Sequence, residues 1–492
     1  MLLLAVATGL MAIVSRVAIG RAAVDSGRVD HFYWMLAAEA YRTQRGLPVR
    51  IAGKYLMEDE AQAYPPLFGW LLGRFRFDRF GIASVWMLEA IQLAVLAACM
   101  AALRAPLASI FLAAAMYAAV PVLVSYNTQL NARVLGDLFL FGLLAAEVMA
   151  IFVADSQPAR VALWLVACAL TALVIMTHKM TLQLYVLLLP AWALALGTLL
   201  PVVAFGAGAA VYVMIVGPRF ARFQFRAHQD IVAFWHRNWR HLGAHQFHDS
   251  PVYAEGSGTC RTCFHQPGLR GLVKYLRLVV SYAPATAALL LASVVSGSWP
   301  PTWLLVWLGG VYGVALATLI VPQLRSLGGG HLYVFNVAGV AAWYVAWLPD
   351  APSTVIVLAA GTLLNAFSLF MAWWIVRGRP MTRDDSFGEA LSALAALPKG
   401  RVAVFPLQSA EAVAASTHHA VLWGGHGYGF SRLEGFFPVL RQPLAKYLRD
   451  YEVNWVLWDD NYWPAGLRTL GTEGVVNARA FGHWHLAECH TL

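Results

Sequence analysis

"DSGRVDHFYWMLAAEAYRTQRGLP" (residues 25–48), followed by "AYPPLF" at 63–68, decides how the whole chain is read. It comes directly after the apolar run "MLLLAVATGLMAIVSRVAIG" (1–20). About twenty apolar residues suffice to cross a bilayer as a helix. The run lacks a basic start, so a retained first span is expected rather than a cleaved leader. The charged stretch thus begins at the mouth of the first crossing. Asp25 or Ser26 can cap a helix that "VDHFYWMLAAEAYRTQ" continues. Phe32, Leu36 and Ala40 recur at i, i+4 spacing, which predicts a helix lying along the membrane surface. Asp30 and His31 stand at its start. A carboxylate is costly to desolvate at a membrane boundary, so Asp30 is a candidate functional group. Asp25 suits the plain role of a helix cap better. Residues before proline are held extended, so Tyr64 and Pro65 cannot continue a helix, whereas Pro66 can begin one. The loop then closes over the outer end of the first span as a partly aromatic cavity, with His31 and Tyr64 at its rim.

The remaining composition agrees with a membrane protein. Of 492 residues, 60% are hydrophobic and 12% charged, against roughly 25% charged in a soluble domain. Nineteen tryptophans fit the enrichment of Trp at bilayer interfaces. The formal charge of +9 is carried without a soluble basic domain. Membrane lipids with anionic head groups are therefore the expected partners, and nucleic acid is not. About eleven spans of near-crossing length can be laid out: 1–20, 80–103, 107–125, 134–153, 160–177, 180–197, 200–217, 277–297, 301–321, 331–348 and 352–376. The fold class is an all-α polytopic membrane domain over 1–377, with a small α/β domain over 378–492.

Three polar regions interrupt this pattern: 21–79, 218–275 and the tail. Six spans separate the first from the second and four the second from the tail, so all three share one side. The opposite loops are short and hold only Arg104 and Arg160 as basic residues, so positive-inside counting orients the chain weakly. The large regions are expected outside. In the tail, "RVAVFPL" (401–407), "AVLWG" (420–424) and "NWVLWDD" (454–460) read as strands. "SAEAVAAST" (409–417) and "PVLRQPLAKYLRDY" (438–451) read as helices. Alternation of this kind predicts an open, partly parallel sheet. Asp459 and Asp460 fall at a strand end, where ligands collect in such sheets, but a solvated turn explains them as well.

An aspartate-bearing first outer loop, a surface helix ending in "GLP" and a "YPPL" re-entry resemble the GT-C superfamily of membrane glycosyltransferases. That superfamily includes protein O-mannosyltransferases, oligosaccharyltransferase catalytic subunits and aminoarabinose transferases. "NARVLGDLFL" (131–140) is similar to its second outer loop entering the fourth span, and "THKMTLQ" (177–183) to a polar break in later spans. The resemblance implies a polyprenyl-phosphate-sugar donor and a glycan, lipid or protein acceptor on the extracytoplasmic face. It implies a first-loop aspartate as catalytic carboxylate, carried here onto Asp30, with Asp25 second. An inverting transfer needs a base for the acceptor hydroxyl and cations for the departing phosphate. Arg133, Lys179, Arg325 and His331 are the candidates, the last two flanking "SLGGG" (326–330). Each is equally a basic residue snorkelling from a span end. Metal-dependent members carry further acidic residues in the second outer loop. "SYNTQLNAR" (125–133) has no acidic pair, so metal-independent transfer without a cofactor is favoured over a divalent metal, which stays the alternative.

Other groups are weaker pointers. Cys260 and Cys263 form a CxxC near His265, which fits a disulfide, free thiols or a zinc site. "RFARFQFRAHQ" (219–229) and "FWHRNWRH" (234–241) interleave arginine with aromatics, as an interfacial helix would. Glu89 and Glu147 fall within spans, where interhelical pairing is the plainer role and a proton relay the sharper one. Two rival functions remain: a transporter or flippase for a lipid-linked or amphiphilic solute, and a non-catalytic membrane scaffold. The first would favour an internal repeat with broken midplane helices, and no such repeat is visible.

Overall fold

Runs of Leu, Ala and Val without polar interruption form helices wherever proline and glycine allow. The computed structural model describes residues 2–24, 29–55, 61–253, 268–297, 299–348, 352–377, 385–422, 434–462 and 475–489. Among them, six helices are long and apolar enough to cross a membrane: Ile82–Ala102, Arg133–Phe152, Gln157–Ile175, Lys179–Leu196, Thr302–Ile320 and Thr354–Met371. The number rises to eight if each of two sharply bent pairs is counted as one span. Leu10, Ile13, Leu165, Leu194, Met214 and Phe367 lie exposed on the flanks of the bundle. An apolar surface of this extent belongs in lipid. The protein is an integral, multi-pass membrane protein.

Among the described residues the expected eleven spans are unconfirmed, and the breaks have local causes. The expected span 107–125 divides at Pro121 into Leu107–Ala118 and Pro121–Tyr126. The expected span 277–297 divides at Pro284, where Pro284–Ser296 turns by 89° from the helix before it. Gly217, at φ 79°, lets Leu200–Val216 turn by 112° into Pro218–Arg237. Segment 331–348 is not a regular span. It winds as a 3-10 helix (Gly330–Val337), an α-helical turn (Ala338–Trp343) and a second 3-10 piece (Tyr344–Trp347). Trp192, Trp303, Trp307 and Trp343 are buried together inside the bundle, whereas Trp70, Trp86, Trp299 and Trp374 are exposed. The spans' acids are paired. Glu89 accepts from Arg16 at 2.8 Å and from Asn127 at 2.6 Å. Glu147 accepts from Tyr185 and Trp192 at 2.9 and 2.7 Å.

The first polar region folds as foreseen in outline. Helix Val29–Thr43 is followed, after a loop, by helix Pro66–Phe75, which starts at the second proline. Tyr33, Trp34, Ala37, Ala38 and Tyr41 are buried against the protein; of the expected stripe, Ala40 is buried too, while Phe32 and Leu36 are half-buried. The two helices pack through glycine. A Cβ on Gly73 would lie 2.5 Å from the Ala38 carbonyl oxygen and 2.9 Å from Tyr41 Cβ. Backbone cannot yield as a side-chain tip can, so Gly73→Ala is expected to cost about 1–3 kcal/mol. Thermal unfolding in detergent against the native protein measures it.

The tail contains a five-stranded sheet, β1 (Arg401–Phe405), β2 (Ala420–Val421), β3 (Trp455–Asp459), β4 (Val475–Phe481) and β5 (Trp484–Cys489), in the order β2-β1-β3-β5-β4. β2 and β3 run parallel to β1, and the β4–β5 hairpin adds antiparallel to β3. The helix expected over 438–451 is confined to Leu444–Asp450, because Pro443 ends the upstream extension. Asp459 and Asp460 face the hairpin, with His483 at 3.8 Å and His485 at 3.0 Å.

The three polar regions meet. Lys54 donates to the carbonyls of Ala414 and Thr417 at 2.7 and 2.6 Å, and Tyr55 forms a parallel bridge with Val421. Arg237 binds Glu434 at 2.8 Å. Loop 242–253 docks on the tail through Gln246, which donates from Nε2 to the Phe436 carbonyl at 2.9 Å, and from its backbone N–H to Tyr462 Oη at 3.1 Å. His245 stacks on Tyr462 at 3.9 Å, and its Nδ1 accepts from the backbone N–H groups of Phe247 and His248. Burial, with the neighbouring His248 adding and Asp249 opposing, pushes His245 down to about 4. The undocked loop, with an ordinary histidine near 6.5, therefore takes up a proton first. Docking is expected to weaken as pH falls from about 6.5 towards 4. Hydrogen exchange of 242–253 at pH 7 and pH 5 measures the loosening, and His245→Asn, which keeps an acceptor, is expected to abolish it.

Candidate active site

Three helices begin at one place. Asp30 lies in the first turn of Val29–Thr43, Arg133 opens Arg133–Phe152, and Lys179 opens Lys179–Leu196. All three residues line a cavity of about 210 Å³, together with Trp34, Tyr64, Asn131, His178, Gln183, His228, Trp235 and the Ser326–Gly328 turn. Local sequence fixes each start. Asn131 accepts from Arg133 N–H at 3.0 Å through Oδ1 and donates to the Tyr126 carbonyl at 2.8 Å. His178 caps the next helix, its Nδ1 accepting from Thr181 N–H at 3.3 Å. The "THKMTLQ" break is thus a turn between two helices, and it delivers Lys179 to the cavity.

The electrostatics favour an anion. Helix N-termini carry partial positive charge, and a lysine or arginine there is disfavoured unless something negative offsets it. One carboxylate and two cations leave the charged lining at a net +1. Arg133 Nη1 and Asp30 Oδ2 are 3.7 Å apart, longer than the 2.7–2.9 Å of a close charged hydrogen bond. Arg133 lies over the Tyr126 ring at 5.0 Å and Lys179 over the Tyr64 ring at 5.5 Å. Tyr64 is held edge-on by Trp34 at 5.1 Å, and burial raises its phenol above the ordinary value.

A second cavity, of about 320 Å³ and largely apolar, adjoins the first. Ile175, Leu182, Val186, Tyr212, Ala221 and Phe225 line it, and it shares Tyr64, Lys179, Gln183, His228 and Ile231 with the polar cavity. Gln183 and His228 meet at this neck, 3.0 Å apart, and Tyr333 reaches Gln183 Oε1 at 3.2 Å.

Of the residues singled out in the sequence, Asp30, Arg133, Lys179 and Tyr64 come together. Arg325 does not line the cavity. Its guanidinium donates to the Leu319 carbonyl at 3.0 Å and lies over Trp239, because the 3-10 turn Pro322–Leu327 folds it back on the preceding helix, Thr302–Ile320. His331 is not in the lining either; it packs against the Tyr282 ring at 5.4 Å, within reach of the Arg133 charge. His31 packs edge-on to Phe32 at 5.6 Å and is not part of the lining. Asp25, Cys260, Cys263 and His265 lie outside the described residues. Among the described residues, no cluster of three His, Cys, Asp or Glu side chains has metal-binding geometry.

Solved structures share this architecture. ArnT from Cupriavidus metallidurans in the apo state matches at TM-score 0.56 and 13% identity, over 99% of this chain and 98% of that one. The apo oligosaccharyltransferase of Archaeoglobus fulgidus matches at TM-score 0.51 and 12% identity, over 93% of this chain and 69% of its own. The chain has the GT-C fold. ArnT bound to undecaprenyl phosphate matches at TM-score 0.49 and 13% identity, over 99% and 97%. No protein-family model matches the sequence, and no curated protein does.

Within the GT-C fold, the reading from sequence missed the neck. Gln183 was visible in "THKMTLQ" and His228 in the arginine-aromatic helix, but nothing in the sequence says that these segments, 45 residues apart, meet. Asn131 and His178 carried a usable signal. Each is a polar residue just before an apolar helix, where capping is common.

Proposed function

We propose that the protein is an inverting glycosyltransferase that moves a sugar from a polyprenyl-phosphate donor to an acceptor hydroxyl or amide at the extracytoplasmic face. The observation that carries this reading is the junction of the two cavities. A polar pocket holding one carboxylate and two cations opens at a common neck into an apolar one. A molecule with a phosphate head and an isoprenoid tail suits both compartments at once. The shared fold supports the reaction class, since one neighbour is an oligosaccharyltransferase and the other, ArnT, has been crystallised with undecaprenyl phosphate.

In this reading Asp30 takes the proton of the acceptor as its oxygen or nitrogen attacks the anomeric carbon. The bond between that carbon and the phosphate oxygen breaks, and the electron pair leaves with the lipid phosphate. The leaving group gains a negative charge as the bond breaks, so Arg133 and Lys179 bind it more strongly towards the transition state than in the ground state. Tyr64 keeps Lys179 in place. We assign no metal a part, the phosphate charge being met by these cations. The membrane domain over 1–377 supplies the donor site, and the domain over 378–492 braces the first loop from the same side.

The test is to incubate purified protein in nanodiscs with a radiolabelled polyprenyl-phosphate sugar and follow the release of polyprenyl phosphate. Release is expected with EDTA present. Retention of intact donor without release, combined with its movement between leaflets, would favour a flippase instead.

A further inference from the structure

Helix Gly268–Tyr282 has three faces. Tyr275 and Val279 are buried against the protein. Leu269, Val273, Leu276 and Val280 are exposed at 75%, 56%, 40% and 45%, and at 3.6 residues per turn they fall within roughly 60° of one another. Arg270, Lys274 and Arg277 are exposed in the adjacent sector. The helix contains no acidic residue, and among the described residues none of these three cations has a hydrogen-bond or ion-pair partner. The helix turns by 89° into the apolar helix Pro284–Ser296, so it lies across the bundle axis where that helix ends. Its last residue, Tyr282, contacts Tyr126 and His331, which places it at the same end of the bundle as the polar cavity.

We propose that Gly268–Tyr282 is a docking surface for anionic phospholipid head groups. The apolar stripe dips below the head-group level and the basic stripe lies at it, the arrangement of an interfacial helix. A water-exposed helix would have no use for four large apolar side chains in one stripe. A helix merely buried in lipid tails would have no use for three exposed cations. Each basic side chain near an anionic surface favours it by about 1 kcal/mol, or about fivefold. This surface is separate from the donor cavity and holds whether or not the protein transfers sugar.

The experiment is native mass spectrometry of the full chain in detergent with palmitoyl-oleoyl phosphatidylglycerol or phosphatidylcholine added. The native protein is expected to retain severalfold more phosphatidylglycerol, with the excess shrinking as salt rises. Arg270→Gln, Lys274→Gln and Arg277→Gln together are expected to erase the preference, while Arg270→Lys with Arg277→Lys keeps it. Lys399→Gln, Arg449→Gln and Arg479→Gln together, an equal charge change on the tail domain, are expected to leave it intact. Lys179→Met is also expected to preserve it while weakening binding of polyprenyl phosphate, which separates this surface from the donor cavity. Equal retention of the two lipids, or an unchanged preference in the triple variant, would overturn the proposal. Competition by glycerol phosphate as effective as that by the lipid would overturn it too, since a soluble phosphate site would then suffice.

Discussion

Asp30→Asn is expected to lower turnover by about 10²–10⁴-fold, the usual contribution of a general base, while donor binding is kept or tightened. The second half follows from the charge count. The polar cavity holds Asp30 against Arg133 and Lys179. Removing the carboxylate raises its charge by one and removes a repulsion on the lipid phosphate. A structural residue would behave differently, because losing the ion pair to Arg133 at 3.7 Å would disturb donor affinity and thermal stability along with turnover. Paired measurements of donor affinity and single-turnover rate separate the cases. Turnover within threefold of the native rate would mean that the base is another group.

Lys179→Met keeps the aliphatic stem and deletes the charge. A hydrogen bond to a charged group contributes about 1.5–3 kcal/mol, so a loss in kcat/KM on the order of 10–100-fold is expected. Part should appear in KM, because the donor phosphate is already negative when bound. Part should appear in kcat, because the phosphate gains charge on leaving. Lys179→Arg is expected to restore some of both, limited by the room beside Tyr64, whose ring lies 5.5 Å from the ammonium. An effect on KM alone would place Lys179 in recognition and leave the departing charge to Arg133.

The first polar loop was legible in sequence because its signals are local. A helix start and a Pro-Pro boundary there, and the polar break at 177–183, each act over a few residues and mark the helix boundaries beside which Asp30, Tyr64 and Lys179 stand. Arg133 came from the similarity of the second loop. The protein-facing side of Val29–Thr43 was not legible, since aromatics occupy both faces and periodicity alone does not say which meets protein and which meets lipid. Arg325 was misplaced because its side chain is aimed by a 3-10 turn that "SLGGG" does not announce. The neck between Gln183 and His228 depends on how Pro218–Arg237 folds back after Gly217, a long-range outcome with no local cue. The β4–β5 hairpin was overlooked too, although Gly482 at φ 59° marks its turn.

Among the described residues the tail's sheet has two outermost strands, and neither offers a flat open rim. β2 is covered by the first loop, with Val421 N–H donating to the Lys54 carbonyl at 2.9 Å beside the Tyr55 bridge. β4 breaks register between Val476 and Arg479, and Asn477 there has φ 55°. A flat row of spare amides would recruit a matching strand from a neighbouring molecule. With one rim occupied by its own chain and the other crooked, the tail resists stacking against copies of itself on a crowded membrane.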